Sequence, residues 1–340
     1  MKAIKYILAL IVVAGSLASC DTDIEAGTIQ EPYTYSDLYY QNLREYKSTM
    51  YDREIAFGWF AQYGAQNSLG VRFMGLPDSL DICSMWGGGI PAKENTAIWE
   101  EIRFVQKVKG TKMLAVAITR IDSETNEKEF KIAYDAAKAM PTGDERDAAI
   151  LKSIEMYAEY FLDQVFDNEL DGFDADYEPE GDFLSGSYFE HFYKHMAKYM
   201  GGPNPDITKE ERLALIKERY GQEIASQEGI CDKMLNIDQT STSMTSLIAY
   251  SNYCFLQAYG GGTSAGSWPT EKVVFCCNMG DNWQGTMSTM YTQARSKPAT
   301  GRKGGFGAFF IHRDYNVHEN NPTPYGRFKE CIQIQNPAVH

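Results

Sequence analysis

Histidine is scarce in this 340-residue chain, with five in all, and the seven cysteines show no Cys-x-x-Cys spacing. Those two absences leave a zinc site without support, and no metal or cofactor is expected. Basic residues are also in short supply. Against 46 Asp and Glu stand 32 Lys and Arg, a formal charge of -14, so a phosphate backbone or an anionic lipid surface is a poor partner and nucleic acid is excluded. Between residues 54 and 330 there is no internal repeat, low-complexity tract or linker, which argues against a second domain. Hydrophobic residues make up 44% of the chain, enough for one large core.

The one long apolar run lies at the start. Residues 1–20, MKAIKYILALIVVAGSLASC, carry Lys2 and Lys5, an apolar stretch from Ile7 to Ala14 and then small residues. The pattern reads as a secretory signal too short to span a membrane. Its Leu17-Ala18-Ser19-Cys20 ending resembles a bacterial lipoprotein box, which implies that Cys20 becomes the lipidated first residue. Removing residues 1–19 takes away two lysines and no acids, so the mature charge falls from -14 to -16. The acidic Asp21-Thr22-Asp23-Ile24-Glu25 that follows resembles surface-export tags of Bacteroidetes lipoproteins, although a solvated tether reads the same way. The expected location is the bacterial cell envelope, anchored by lipid alone, at the outer membrane and open to a surface-facing orientation. The other six cysteines, Cys83, Cys231, Cys254, Cys276, Cys277 and Cys331, sit mostly in apolar runs and read as small hydrophobes.

The most informative stretch is Leu170-Asp171-Gly172-Phe173-Asp174-Ala175-Asp176-Tyr177-Glu178, closed by Pro179. As a β-strand it places Asp174, Asp176 and Glu178 on one face, because side chains two apart share a face. Crowded carboxylates disfavour full ionisation, so at least one should hold a proton near neutrality and be available as a general acid. A solvated acidic face and an oxygen-rich cation site are the competing readings.

Other strands read from apolar runs are 54–60, 80–86, 112–119, 233–238, 253–259, 272–278 and 304–312. A capping-box pattern near Thr142 opens a long amphipathic helix reaching Asn168, and a Thr208-x-x-Glu211 box opens another that ends at Gly221. Eight strands alternating with helical or amphipathic segments predict an α/β fold, a single (β/α)8 TIM barrel. The organisation expected is a signal over 1–20, a tether and first helix over 21–52, and the barrel over 53–340.

Asp171-Gly172-x-Asp174-x-Asp176-x-Glu178 matches the signature of glycoside hydrolase family 18 without gaps, so the chain resembles the chitinases and endo-β-N-acetylglucosaminidases. The resemblance implies that this is the fourth barrel strand, with Glu178 at the C-terminal mouth where such barrels keep their sites. It also implies the substrate-assisted mechanism that sets this family apart from two-carboxylate glycosidases. Glu178 would be general acid and then base, Asp176 would orient the substrate's acetamido group, and Asp174 would modulate Asp176. Asp171, in the opposite phase, would be structural.

On the sixth strand, Gln257-Ala258-Tyr259 resembles the Gln-x-Tyr of endo-β-N-acetylglucosaminidases rather than the Met-x-Tyr-Asp of chitinases. Tyr259 would then donate to the acetamido oxygen and Gln257 would bind a sugar hydroxyl. The implied partner is a GlcNAc-containing glycan or glycoprotein, with the chitobiose core of N-glycans ahead of chitin. A non-catalytic glycan-binding lipoprotein on the same barrel is the alternative. Trp59, Trp86 and Trp283 lie near predicted strand ends and are candidates for sugar stacking or for packing. The eighth strand lacks the tryptophan of chitinases and offers Phe306, Phe309 and Phe310, of which Phe310 is the substrate-binding candidate. A monomer working beside glycan-uptake proteins is expected.

Overall fold

A computed structural model describes residues 30–64, 68–181 and 184–337. The signal, Cys20 and the acidic run at 21–25 lie outside these residues. Helix α1 (Asp37–Ser48) comes first, its N-terminus capped by Ser36, which accepts a hydrogen bond from Tyr39 N. Eight strands follow: β1 (Ile55–Phe60), β2 (Ile82–Met85), β3 (Lys112–Ile118), β4 (Gly172–Tyr177), β5 (Met234–Gln239), β6 (Cys254–Leu256), β7 (Val273–Asn278) and β8 (Gly305–Phe309). They pair in sequence order into a closed barrel, every pairing parallel. No helix among the described residues is long and apolar enough to cross a membrane.

Alternation along each strand sorts the apolar side chains into two sets. Phe57, Leu114, Phe255 and Val274 fill the barrel interior, while Phe173, Ala175, Leu235 and Cys277 face the outer layer. That outer layer is supplied by α2 (Thr96–Arg103), α3 (Glu129–Lys138), α4 (Asp144–Asp167), α5 (Gly186–Ala197), α6 (Lys209–Ala225), α7 (Ser288–Arg295) and α8 (Gly326–Gln335). On α4 the residues Ile150, Ile154, Tyr157, Ala158, Phe161, Leu162 and Val165 are all buried, the apolar face expected from their three- and four-residue spacing.

Three expectations are corrected. The helical layer is incomplete, because among the described residues the connections after β1, β5 and β6 contain only short 3-10 turns, at 69–71 and 73–75, at 245–247, and at 270–272. Helix α4 does not use Thr142, since Gly143 takes the N-cap position and makes no side-chain bond. The sixth strand stops at Leu256, leaving Gln257 and Tyr259 on the loop beyond it. The Thr208 box of α6 does form with both of its hydrogen bonds, and Gly221 breaks the helix with φ of +86°, a conformation that suits glycine.

Helix α1 lies beside the N-terminal end of β3. Lys47 donates to Thr111 Oγ1 at 2.6 Å and Arg44 to the Val108 carbonyl at 2.9 Å, so the first helix is bound to the loop that leads into β3. All six described cysteines are free and buried.

Candidate active site

The site is built on β4. A Cβ on Gly172 would stand 2.1 Å from the Met234 carbonyl oxygen, far inside contact distance, so this glycine lets the acidic strand lie close against β5. Beyond it Asp174 and Asp176 point into the barrel and are buried. Glu178 follows one residue past the strand end, half-buried, and Pro179 stops further pairing. Thr119 fixes this end: its N–H and its hydroxyl both donate to the Asp176 carbonyl, at 3.3 and 2.8 Å.

Register then brings in a residue that sequence reasoning missed. Asp174 is level with Asn236 on β5, and Asp176 with Asp238. Asp238 is 2% exposed and makes a fourth acid in the cluster. Its signal was present in Lys233-Met234-Leu235-Asn236-Ile237-Asp238, whose two polar residues share the two-residue phase of Asp174 and Asp176.

Asp174 is fully buried, and its Oδ2 accepts hydrogen bonds from Trp59 Nε1 at 2.9 Å and Ser84 Oγ at 2.7 Å. Burial raises its carboxyl to about 7, with Ser84 and Trp59 pulling the other way by favouring the anion. Asp176 is pushed well above the ordinary carboxylate range, first by burial and then by the charges of Glu178 and Asp174, with Arg120 opposing. Asp238 is raised likewise by burial, then by Asp176 and Asp174, while a hydrogen bond from Gln257 opposes the rise. Crowding alone had been expected to hold a proton in this cluster; desolvation is the larger cause.

Gln257 and Tyr259 join the acids despite lying beyond β6. Gln257 Nε2 donates to Asp176 Oδ1 at 3.4 Å, and its own N–H is held by the Gln239 carbonyl at 2.9 Å. The Tyr259 phenol is driven upward by burial and then by the negative charge of Asp238, Cys276, Asp176 and Glu178. It therefore stays protonated and can act as a donor at the mouth.

The aromatic candidates divide. Trp59 is 1% exposed, enclosed by Phe57, Phe255 and Phe309 with ring centroids 4.4, 6.1 and 6.3 Å away. It has no face for a sugar and serves Asp174 instead. Trp86, partly exposed after β2, meets Phe309 edge-on at 5.6 Å. Phe309 also lies 6.4 Å from Tyr259 and stacks on Phe310 at 3.9 Å, so it joins the rim to the acids. Phe306 is buried on the outer side against Phe328 at 4.9 Å. Trp283 packs edge-on against His318 at 5.3 Å and makes no hydrogen bond or ring contact with the acid cluster among the described residues.

Asp171, in the opposite phase, lies just before β4 and away from the acid cluster. It accepts hydrogen bonds from Met113 N at 2.9 Å and Gln106 Nε2 at 2.7 Å, and pairs with Lys112 at 3.2 Å. Among the described residues no group of three or more His, Cys, Asp or Glu is arranged to hold a metal ion.

A closed parallel barrel with a buried carboxylate array at the C-terminal end of β4 defines a barrel of the glycoside hydrolase class. The family description "Glycoside hydrolase family 18, BT1044-like" matches residues 19–297, and the chain belongs to glycoside hydrolase family 18. Among solved structures it is similar to a glutamate-to-glutamine variant of BT1044 (20% identity, 88% of this chain and 93% of that one, TM-score 0.66). It is also similar to an endo-β-N-acetylglucosaminidase from Cordyceps militaris in apo form (17% identity, 92% and 99% covered, TM-score 0.58). A double mutant of the Cordyceps enzyme in complex with fucosyl-N-acetylglucosamine-Asn matches at 16% identity, 92% and 99% covered, with a TM-score of 0.57. At such identities these structures establish the fold. No curated protein matches the sequence.

Proposed function

We propose that the chain is an endo-β-N-acetylglucosaminidase that cuts the β-1,4 bond between the two core GlcNAc residues of N-linked glycans. The observation that carries this reading is the convergence of Gln257 and Tyr259 on the buried Asp174, Asp176 and Asp238 beside Glu178. The Cordyceps endo-β-N-acetylglucosaminidase, one of whose structures holds fucosyl-N-acetylglucosamine-Asn, supports it.

In this reading the substrate's acetamido oxygen bonds to the anomeric carbon as the glycosidic C–O bond breaks, and Glu178 gives its proton to the leaving oxygen. Water then adds at the anomeric carbon, returning a proton to Glu178 and reopening the oxazolinium ring with retained configuration. Asp176 takes the acetamido N–H and offsets the charge on the ring, while Tyr259 donates to the acetamido oxygen. Asp174, held by Trp59 and Ser84, exchanges a proton with Asp176. Holding the nucleophile inside the substrate supplies the proximity that a second carboxylate would otherwise give. Trp86, Phe309 and Phe310 form the aromatic rim, and Gln257 meets a sugar hydroxyl.

The protein works as a lipid-anchored monomer at the outer membrane, alongside glycan-uptake proteins. Lipidated Cys20 would keep the barrel close to the bilayer. The chain from Asp21 to Gln30 reaches at most about 36 Å, and Gln30 is bound to the barrel through Leu69 N at 2.9 Å and the Tyr315 hydroxyl at 3.1 Å.

Incubation with high-mannose and complex N-glycoproteins, with mass spectrometry of the released glycans, tests the proposal against a Glu178→Gln control. Release by the parent protein alone supports it. Glycan retained without cleavage by both forms would leave a binding protein in place of the hydrolase.

A further inference from the structure

The connection from β1 to β2 replaces the usual helix with two 3-10 turns, which leaves part of the barrel flank without its normal cover. Residues 30–36, on their way to α1, run along this gap, and a cavity of about 580 Å³ remains between them, the connection and α8. The cavity lies outside the strands, and none of the acids of the site lines it.

Its walls have two kinds of surface. One is aromatic: Tyr33 is 77% and Tyr35 42% exposed, with Tyr35 stacked on Tyr39 at 4.1 Å and Tyr33 edge-on to Tyr35 at 4.7 Å. The rings hold one another, so little side-chain freedom is lost when a ligand covers them. The other is polar and balanced in charge, with Lys109 and Lys329 set against Asp78 and Glu330. Lys109 pairs with Asp78 at 2.8 Å, and the Tyr39 hydroxyl donates to the same carboxylate at 2.7 Å. A balanced wall favours neither an anion nor a cation. It offers donors and acceptors beside exposed ring faces, the chemistry suited to a neutral polyhydroxylated ligand.

We propose that this cavity is a second saccharide site, binding a neutral arm of the glycan on the barrel flank away from the acids. The choice of ligand rests on the glycan-directed reading above. The test is isothermal titration of the full-length Glu178→Gln protein, in a sugar-free detergent, with a released high-mannose oligosaccharide.

The expected result is two bound equivalents, falling to one in a variant that also carries Tyr33→Ala and Tyr35→Ala. If the glycan-directed reading of the acid cluster fails but the flank site is real, one equivalent binds and the double tyrosine substitution abolishes it. Binding that the tyrosine substitutions leave unchanged, or no binding at all, overturns the flank site.

Discussion

Ser84→Ala is a small perturbation with a calculable consequence. Ser84 Oγ donates to Asp174 Oδ2 at 2.7 Å in a fully buried setting, and Trp59 Nε1 donates to the same oxygen at 2.9 Å. Both bonds favour the ionised carboxyl. A hydrogen bond to a charged group contributes about 1.5–3 kcal/mol; because Trp59 stays in place, the lower end applies. At 1.36 kcal/mol per unit, that is a rise of about one unit, from about 7 in the parent protein. The doubly protonated form of the Asp174 and Asp176 pair then persists to higher pH. The acid limb of kcat/KM against pH should therefore move up by about one unit, while the alkaline limb and the melting temperature change little. The assay is a pH series of initial rates on a soluble N-glycopeptide for parent and variant. An acid limb that stays in place would refute the idea that the ionisation of Asp174 controls the reaction, whatever the change in absolute rate.

Tyr259→Phe should lower kcat by roughly a hundredfold with a small change in KM, the cost expected for losing one donor aimed at developing charge; steady-state kinetics on the same glycopeptide decides it. Gly172→Ala places a Cβ 2.1 Å from the Met234 carbonyl oxygen, so β4 and β5 must separate, and urea denaturation should show a loss of about 3 kcal/mol or more. Lys47 is a buried residue of α1 and its ammonium falls from 10.5 to about 7, burial being the leading cause. The unfolded chain therefore binds a proton that the folded one lacks between pH 7 and 10.5. Across that window the parent should gain stability relative to Lys47→Met by up to about 1.4 kcal/mol per pH unit, whereas parallel stability curves would contradict the assignment.

The barrel was legible in the sequence because its strands are continuous apolar runs and because β4 repeats carboxylates with a period of two. The same period led to Asp174 and Asp176 facing inward and Asp171 facing away. Asp238 shares that phase, yet within a mostly apolar segment two polar residues read as incidental until the barrel set Asp176 level with it. The role of Trp59 could not be read locally, since its partner Asp174 lies 115 positions away and the two meet only when the barrel closes. The loop position of Gln257 and Tyr259 was missed for a different reason. Alternation predicted a strand through Tyr259, but pairing with β5 and β7 ends at Leu256, and a hydrogen bond to the Gln239 carbonyl rather than pleating carries Gln257 to Asp176. At α4 the sequence pattern offered Thr142 as a cap, while the chain begins the helix from Gly143, a choice of one residue that helix propensity does not resolve.

The proposed cut lies between two particular sugars, and intact-mass analysis of a glycoprotein after digestion measures it directly. The full-length protein should leave one GlcNAc on each formerly occupied asparagine, and the Glu178→Gln protein should leave the glycans whole. Bare asparagines, an uncut glycoprotein with the parent protein, or equal cleavage by both forms would contradict it.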